Sequence, residues 1–393
     1  MTESDAAPAK KGTRFSTLLT FACIFLAGIA SAGLLAIKPL IVGALIDDYA
    51  FSPSEAGFVT GIEMAGIGIA SFIAALMGGR WNRRLVIVTG ATLGILGSVI
   101  PALTDSYGPV LFTRLVAGFG CGLIAANVLA VIGTSRDPDR IFGFYYMTTY
   151  VGMALVVPGG IWAIDHWGAP GGYLFLAVIL AAVYGLVLRI PGTPGGLSAI
   201  RRTEPLSSFP LMAGGLSLAL SLVFWMGVGA IWAFVERIGL DAGIGRLMIG
   251  GVLSMGPIAS IAGALTASIL HTRLGRAPLL FASIALAILG AGMIGFSENG
   301  PVFIAGFLIF SYVWPLFLAY LGGAMAAVDP VGRVVAMSVA SQTLGMAIGP
   351  AIGGMIAMQS GYIAITVFGI TCFAATFPIL GLLLFKSRAA AQA

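Results

Sequence analysis

Long apolar runs broken by short polar clusters recur along the chain from Thr17 to Phe385. A helix needs about 20 apolar residues to cross some 30 Å of hydrocarbon. Twelve runs qualify: Thr17–Leu45, Ala56–Met77, Leu85–Leu103, Pro109–Gly133, Ile141–Ile164, Gly172–Ile190, Phe209–Val235, Leu247–Leu270, Pro278–Phe296, Pro301–Val328, Val334–Met358 and Tyr362–Phe385. Nothing alternates with period two, and lipid leaves no partner for an unsatisfied backbone group, so the runs predict helices rather than strands. The expected fold is an all-α membrane protein of twelve transmembrane helices.

Composition agrees. Of 393 residues 59% are hydrophobic and 9% charged, where a soluble domain carries about 25% charged residues. A single core stops growing near 250–300 residues, so the surplus apolar surface must face lipid. Lys10, Lys11 and Arg14 before an apolar run resemble a signal peptide, but the run continues to Leu45, which makes it a span.

Basic residues concentrate on the cytoplasmic side of membrane proteins. Sixteen of the twenty fall at the two ends of the chain and in every even-numbered loop, whereas Asp47, Asp48, Glu55, Asp105, Asp165, Glu236, Asp241 and Glu298 occupy the opposite side against only Arg237 and Arg246. Both termini are therefore expected in the cytoplasm of a bacterial inner-membrane protein. The net charge of +5 comes from these short clusters and not from a basic stripe, which argues against a nucleic-acid partner. Cys23, Cys121 and Cys372 lie in apolar runs, far from His166 and His271, so neither a metal site nor a cofactor is expected. H-E-x-x-H, G-x-S-x-G and an ATP-binding loop are all absent, so the chain is not read as an enzyme and any transport must draw on a gradient.

Pro191 to Ser208 is the longest internal loop and sits at the midpoint. Shifting the chain on itself by 193 residues superposes Arg80 on Arg273, Arg83 on Arg276 and Arg140 on Arg333, where chance gives roughly 0.3 arginine coincidences. Gly152 falls on Gly345 in the same register. Residues 1–190 and 209–393 are thus expected to be duplicated six-helix bundles joined by a cytoplasmic linker, 191–208. Parallel repeats of this kind hold substrate between the halves.

Four places carry a resemblance to the major facilitator superfamily over essentially the whole chain. Gly79-Arg80-Trp81-Asn82-Arg83-Arg84 resembles the loop motif G-x-x-x-D-R-x-G-R-R, and Thr272-Arg273-Leu274-Gly275-Arg276 repeats it in the second half. Arg114 with Gly118, Gly120 and Gly122 is similar to the motif of the fourth helix, and Gly345 to Gly354 around Pro350 is similar to the family's glycine-proline motif, here in the eleventh. Gly79 and Thr272 replace the loop aspartate, and Val156-Val157 stand where antiporters show Gly-Pro. The resemblance implies alternating access by a monomer in lipid, with Arg80, Arg83, Arg84, Arg273, Arg276 and Pro350 in conformational gating. Gly118 to Gly122 also resembles a dinucleotide loop, but it lies inside an apolar helix, where helix packing explains it.

A charge at mid-bilayer costs about 2.5–3.5 kcal/mol or more, so each is a functional candidate. Lys38, Glu63 and Arg114 fall at similar depth, roughly 8–14 Å below the outer face. The resemblance implies that the helices of Lys38 and Arg114 line the central cavity. Two cations against one carboxylate favour an anionic substrate, and a guanidinium grips a carboxylate bidentately; Lys38 snorkelling outward, with Arg114 bracing its helix, is the plainer alternative. Glu63 is the expected proton carrier. Trp232 and Trp314 are placed to stack on a flat substrate that Asn127 and Gln342 orient, while Glu236 and Arg237 read as an interfacial charge pair. The expected function is proton symport of a small organic anion, a monocarboxylate or aromatic acid; the alternative is a proton-coupled efflux antiporter for amphipathic compounds.

Overall fold

The computed structural model describes residues 26, 33, 35–77, 82–133, 138–187, 211–270, 274–329 and 333–392. Most of the first predicted span, the linker 191–208, Arg80 and Arg273 lie outside the described residues, and of Arg83 only the backbone is described.

The described chain is nearly all helix: α1 (Lys38–Asp47), α2 (Pro53–Met77), α3 (Arg83–Val99), α4 (Tyr107–Gly133), α5 (Pro138–Val187), α6 (Leu211–Asp241), α7 (Arg246–Leu270), α8 (Arg276–Gly295), α9 (Gly300–Val328), α10 (Arg333–Ser360) and α11 (Ile363–Gln392). No β-strand is present among the described residues. Ten stretches there are long and apolar enough to cross a membrane. One of them, Met147–Ala182, runs through both the fifth and sixth predicted spans; α1 is the end of the first.

Local chemistry sets the boundaries. The apolar pattern starts the second span at Ala56, but the helix begins at Pro53 because Ser52 and Glu55 form a capping box: Ser52 N donates to Glu55 Oε2 at 2.9 Å and Glu55 N to Ser52 Oγ at 3.2 Å. Proline at the first helical position suits this start. Asn82 caps α3, its Oδ1 accepting from Arg84 N at 3.0 Å. In α5 the helix runs on through Pro158 and Pro170 and breaks only at Gly168, whose φ of 63° and ψ of −153° belong to glycine. Ala169 N then donates to Asp48 Oδ2 at 2.7 Å, so the end of α1 caps the second arm of α5.

Small residues determine which helices approach closely. A Cβ on Gly118 of α4 would strike the backbone of Glu63 in α2, and one on Gly66 or Gly122 would meet the facing backbone in the same helix pair. Gly345 and Gly349 of α10 lie likewise against Leu222 and Met226 of α6. Both are spacings of four, the pattern by which apolar helices pack in lipid.

The helices before residue 190 meet those after 210 through α2 with α10, α5 with α7 and α1 with α6. Gly57 against the Pro350 carbonyl, Gly354 against Pro53, Gly250 against Ile161 and Gly43 against Glu236 lie in these seams. The contacts gather where α1 and α6 end and α2 and α7 begin, beside Asp47, Asp48, Asp165 and Glu236. We refer to this as the acidic end.

Candidate functional site

Close approach of α4 to α2 at Gly118 brings Arg114, one turn earlier, against Glu63. Arg114 Nη2 lies 3.1 Å from Glu63 Oε1 and Lys38 Nζ 3.0 Å from Glu63 Oε2, so one carboxylate bridges two cations from α1 and α4. All three side chains are buried, Arg114 to 1% exposure. Burial leaves little screening, which raises the attraction within each pair, but a buried ion cluster needs good hydrogen-bond geometry to offset desolvation. Arg114 Nη1 also donates to the Gly97 carbonyl at 3.3 Å, and the guanidinium lies 5.0 Å from the centre of the Tyr173 ring, within cation–π range.

The group is not fully satisfied. Arg114 Nε and the Tyr173 hydroxyl are both buried without a hydrogen-bond partner. The two residues line a cavity of about 10 Å³ together with Lys38, Thr60 and Glu63. That space suits one water and no organic molecule, so this conformation is closed around the site. Lys38 does not snorkel outward; its ammonium turns into the protein toward Glu63.

The aromatic candidates also gather. Trp232 and Trp314 stack with ring centres 6.1 Å apart and an interplanar angle of 26°. Trp225 meets Trp314 edge-on at 5.6 Å, and Tyr150 meets it at 6.3 Å. Trp314 Nε1 donates to Ser260 Oγ at 2.8 Å, and Trp232 Nε1 to the Leu35 carbonyl at 3.2 Å. Leu35 is one turn before Lys38, so the same stretch of chain joins this cluster and the charge triad. Asn127 turns back on its own helix, donating to the Leu123 carbonyl at 3.0 Å, and Gln342 is half-buried on α10.

The gating candidates fare unevenly. Arg84 is exposed at the start of α3, and Arg276 is exposed beside Gly323 of α9. Pro350 is buried in the seam between α10 and α2, its carbonyl abutting Gly57. Glu236 and Arg237 do not serve each other as an isolated surface pair. Arg237 Nη2 lies 2.6 Å from Asp47 Oδ2 and also donates to the Gly43 carbonyl, while Arg246 Nη2 lies 2.8 Å from Asp47 Oδ2. Hydrogen bonding from Arg237 holds the Asp47 carboxyl below the usual carboxylate range. Asp47 therefore ties α1 to α6 and α7 at the acidic end. The signal was present in the sequence: Arg237 and Arg246 are the two exceptions to the charge asymmetry, and both are its partners. Tyr173 carried no such signal, being one aromatic among many.

Against known proteins, the Major Facilitator Superfamily model matches residues 20–328. The uncharacterized MFS-type transporter YceJ of Bacillus subtilis (strain 168) is 24% identical, covering 94% of this chain and 95% of its own length. Monocarboxylate transporter 11 of Mus musculus is 26% identical over 84% of this chain and 79% of its own. Among solved structures, a POT family transporter in complex with a thioalcohol-conjugated peptide superposes with a TM-score of 0.74 at 16% identity, covering 96% of both chains.

Proposed function

The chain belongs to the major facilitator superfamily, and from that premise we propose that it carries a small organic anion, a monocarboxylate or aromatic acid, across the bacterial inner membrane by proton symport. The observation that carries this reading is the buried triad with its surplus cation and two unpartnered donors, Arg114 Nε and the Tyr173 hydroxyl. A carboxylate supplies the missing charge and accepts from both donors. The name of the mouse relative, a monocarboxylate transporter, supports the same class.

Residues 1–190 and 209–393 act as two halves that rock about the site, with the termini in the cytoplasm and the acidic end outside. The seams at Gly57, Gly250 and Gly43 then close the outer side. Coupling follows from competition: an incoming carboxylate takes the cations from Glu63, and a carboxylate relieved of both neighbouring cations binds a proton more readily. Substrate and proton thereby enter together. Trp232 and Trp314 flank the substrate's apolar part, Asn127 and Gln342 offer polar contacts along the path, and the arginines of the two loop motifs, Arg80, Arg83, Arg84, Arg273 and Arg276, hold helix ends and anionic lipid as the halves move. Pro350 supplies the bend in α10.

The test is a thermal-shift screen of purified protein against organic acids, amines and neutral aromatics, since a ligand of the folded state raises its stability by mass action. Carboxylates should stabilise wild type and lose most of that effect in Arg114→Lys, which keeps charge but not the fork. Stabilisation by neutral or cationic amphipaths alone would favour the efflux reading, with the Trp225, Trp232 and Trp314 cluster as the gripping surface.

A further inference from the structure

Apart from the triad, the least compensated buried acid in the described residues is Glu236. Its side chain is 4% exposed, and its nearest cation, Arg246 Nε, stands 3.6 Å from Oε1. The other oxygen, Oε2, is buried with no hydrogen-bond partner. Arg237, next in sequence, is turned to Asp47 and the Gly43 carbonyl. The carboxyl borders a cavity of about 50 Å³ whose charged lining is Asp47 and Asp48 from the end of α1, Asp165 from α5 and Arg246 from α7. Tyr362, just before α11, acts electrostatically on Arg237 as well. Four carboxylates thus share two guanidiniums, and Asp47 takes the short contact with each.

An ionised oxygen shut away from water, without a donor and beside three other acids, is unfavourable; a proton on it removes the charge and supplies a donor. The fit is tight, because a Cβ on Gly43 would overlap the Glu236 carboxyl. Oε2 is pressed against Gly43 of α1, so water reaches it freely once α1 parts from α6. We infer that Glu236 is a proton-binding site of the acidic end, neutral while these helices are packed together and ionised once they separate.

The closed form then holds one proton more than the open form, so lowering the pH on that side favours closure. Between the two affinities, the closed-to-open ratio changes by up to about tenfold per pH unit for one linked proton. The proton arrives and leaves on the same side of the membrane. It biases which way the carrier faces and adds nothing to the coupling at Glu63.

Double electron–electron resonance tests this on the full chain in nanodiscs, without substrate or gradient, with labels at the exposed positions Ser106 and Leu247 in a background lacking Cys23, Cys121 and Cys372. The short-distance population of wild type should grow as pH falls from 8 to 5. Glu236→Gln, a mimic of the protonated acid, should show that population at every pH, and Asp165→Asn should move the midpoint to lower pH by removing a neighbouring anion. A pH-independent wild type, a wild-type response in Glu236→Gln, an unmoved midpoint in Asp165→Asn, or closure driven by sodium at fixed pH would each overturn the inference. Because no substrate is present and Glu63 is intact, failure of the organic-anion reading leaves this outcome unaffected.

Discussion

Gly118→Ala should damage both the fold and the site. The added Cβ would overlap the Glu63 carbonyl, with the Glu63 carbonyl carbon at 2.8 Å and its Cα at 3.1 Å, all backbone that cannot rotate away. Helix α4 must therefore back off from α2. Overpacking of this kind costs about 1–3 kcal/mol. The retreat also stretches the 3.1 Å contact between Arg114 and Glu63, and a hydrogen bond to a charged group contributes about 1.5–3 kcal/mol. Together these reach roughly 2.5–6 kcal/mol. At about 2 °C per kcal/mol for a large chain, Tm should fall by roughly 5–12 °C. A Cβ added at Gly108, in the same helix, would meet nothing within 4 Å, so Gly108→Ala should leave Tm within about a degree. The assay is thermal unfolding of purified protein in detergent, followed by intrinsic fluorescence. Equal Tm values for the two variants would refute the proposed α2–α4 contact and the delivery of Arg114 that depends on it.

Tyr173→Phe removes a buried hydroxyl that has no partner, so Tm should hold or rise by an amount worth up to about 1 kcal/mol, while carboxylate affinity falls; loss of stability with unchanged affinity would show the hydroxyl to be structural. Trp232→Phe keeps an aromatic face but loses the bond to the Leu35 carbonyl and part of the buried indole, and should cost about 1–3 kcal/mol in thermal unfolding. Asp47→Asn should weaken closure of the acidic end, read as increased labelling of a cysteine placed at Ala44. Because the Asp47 carboxyl is held below its ordinary value of 3.8, its contribution is complete above that value and is lost only as pH falls through the depressed one. In a Glu236→Gln background, which removes the other titrating group of this end, the effect of Asp47→Asn should therefore be constant between pH 5 and 8, and a change across that window would contradict the assignment.

Features with a local pattern were the most legible in sequence. Apolar runs gave helices, and Gly118 with Gly122 marked a tightly packed helix, because spacing alone carries that information; that the partner is α2 shows only in the structure. Lys38, Glu63 and Arg114 could be grouped because a charge in lipid needs a partner and equal depth makes one available. Features that depend on how distant segments meet were not legible. Tyr173 lies under Arg114 through the packing of α5, and Asp48 caps that helix beyond Gly168 across 121 residues of sequence separation. Glu236 and Arg237, neighbours in sequence, look like a pair until α1 and α7 supply Asp47 and Arg246. The start of α2 escapes the apolar pattern for a simpler reason: its capping box is polar and precedes the run by which spans are recognised.

Uptake into proteoliposomes, driven by an inward proton gradient, tests the central claim most directly when wild type, Arg114→Ala and Glu63→Gln are compared on one carboxylate found in the ligand screen. Wild type should show saturable, gradient-driven accumulation, Arg114→Ala should lose transport, and Glu63→Gln should exchange substrate across the membrane without accumulating it. Undiminished gradient-driven accumulation in both variants would contradict the organic-anion symport mechanism.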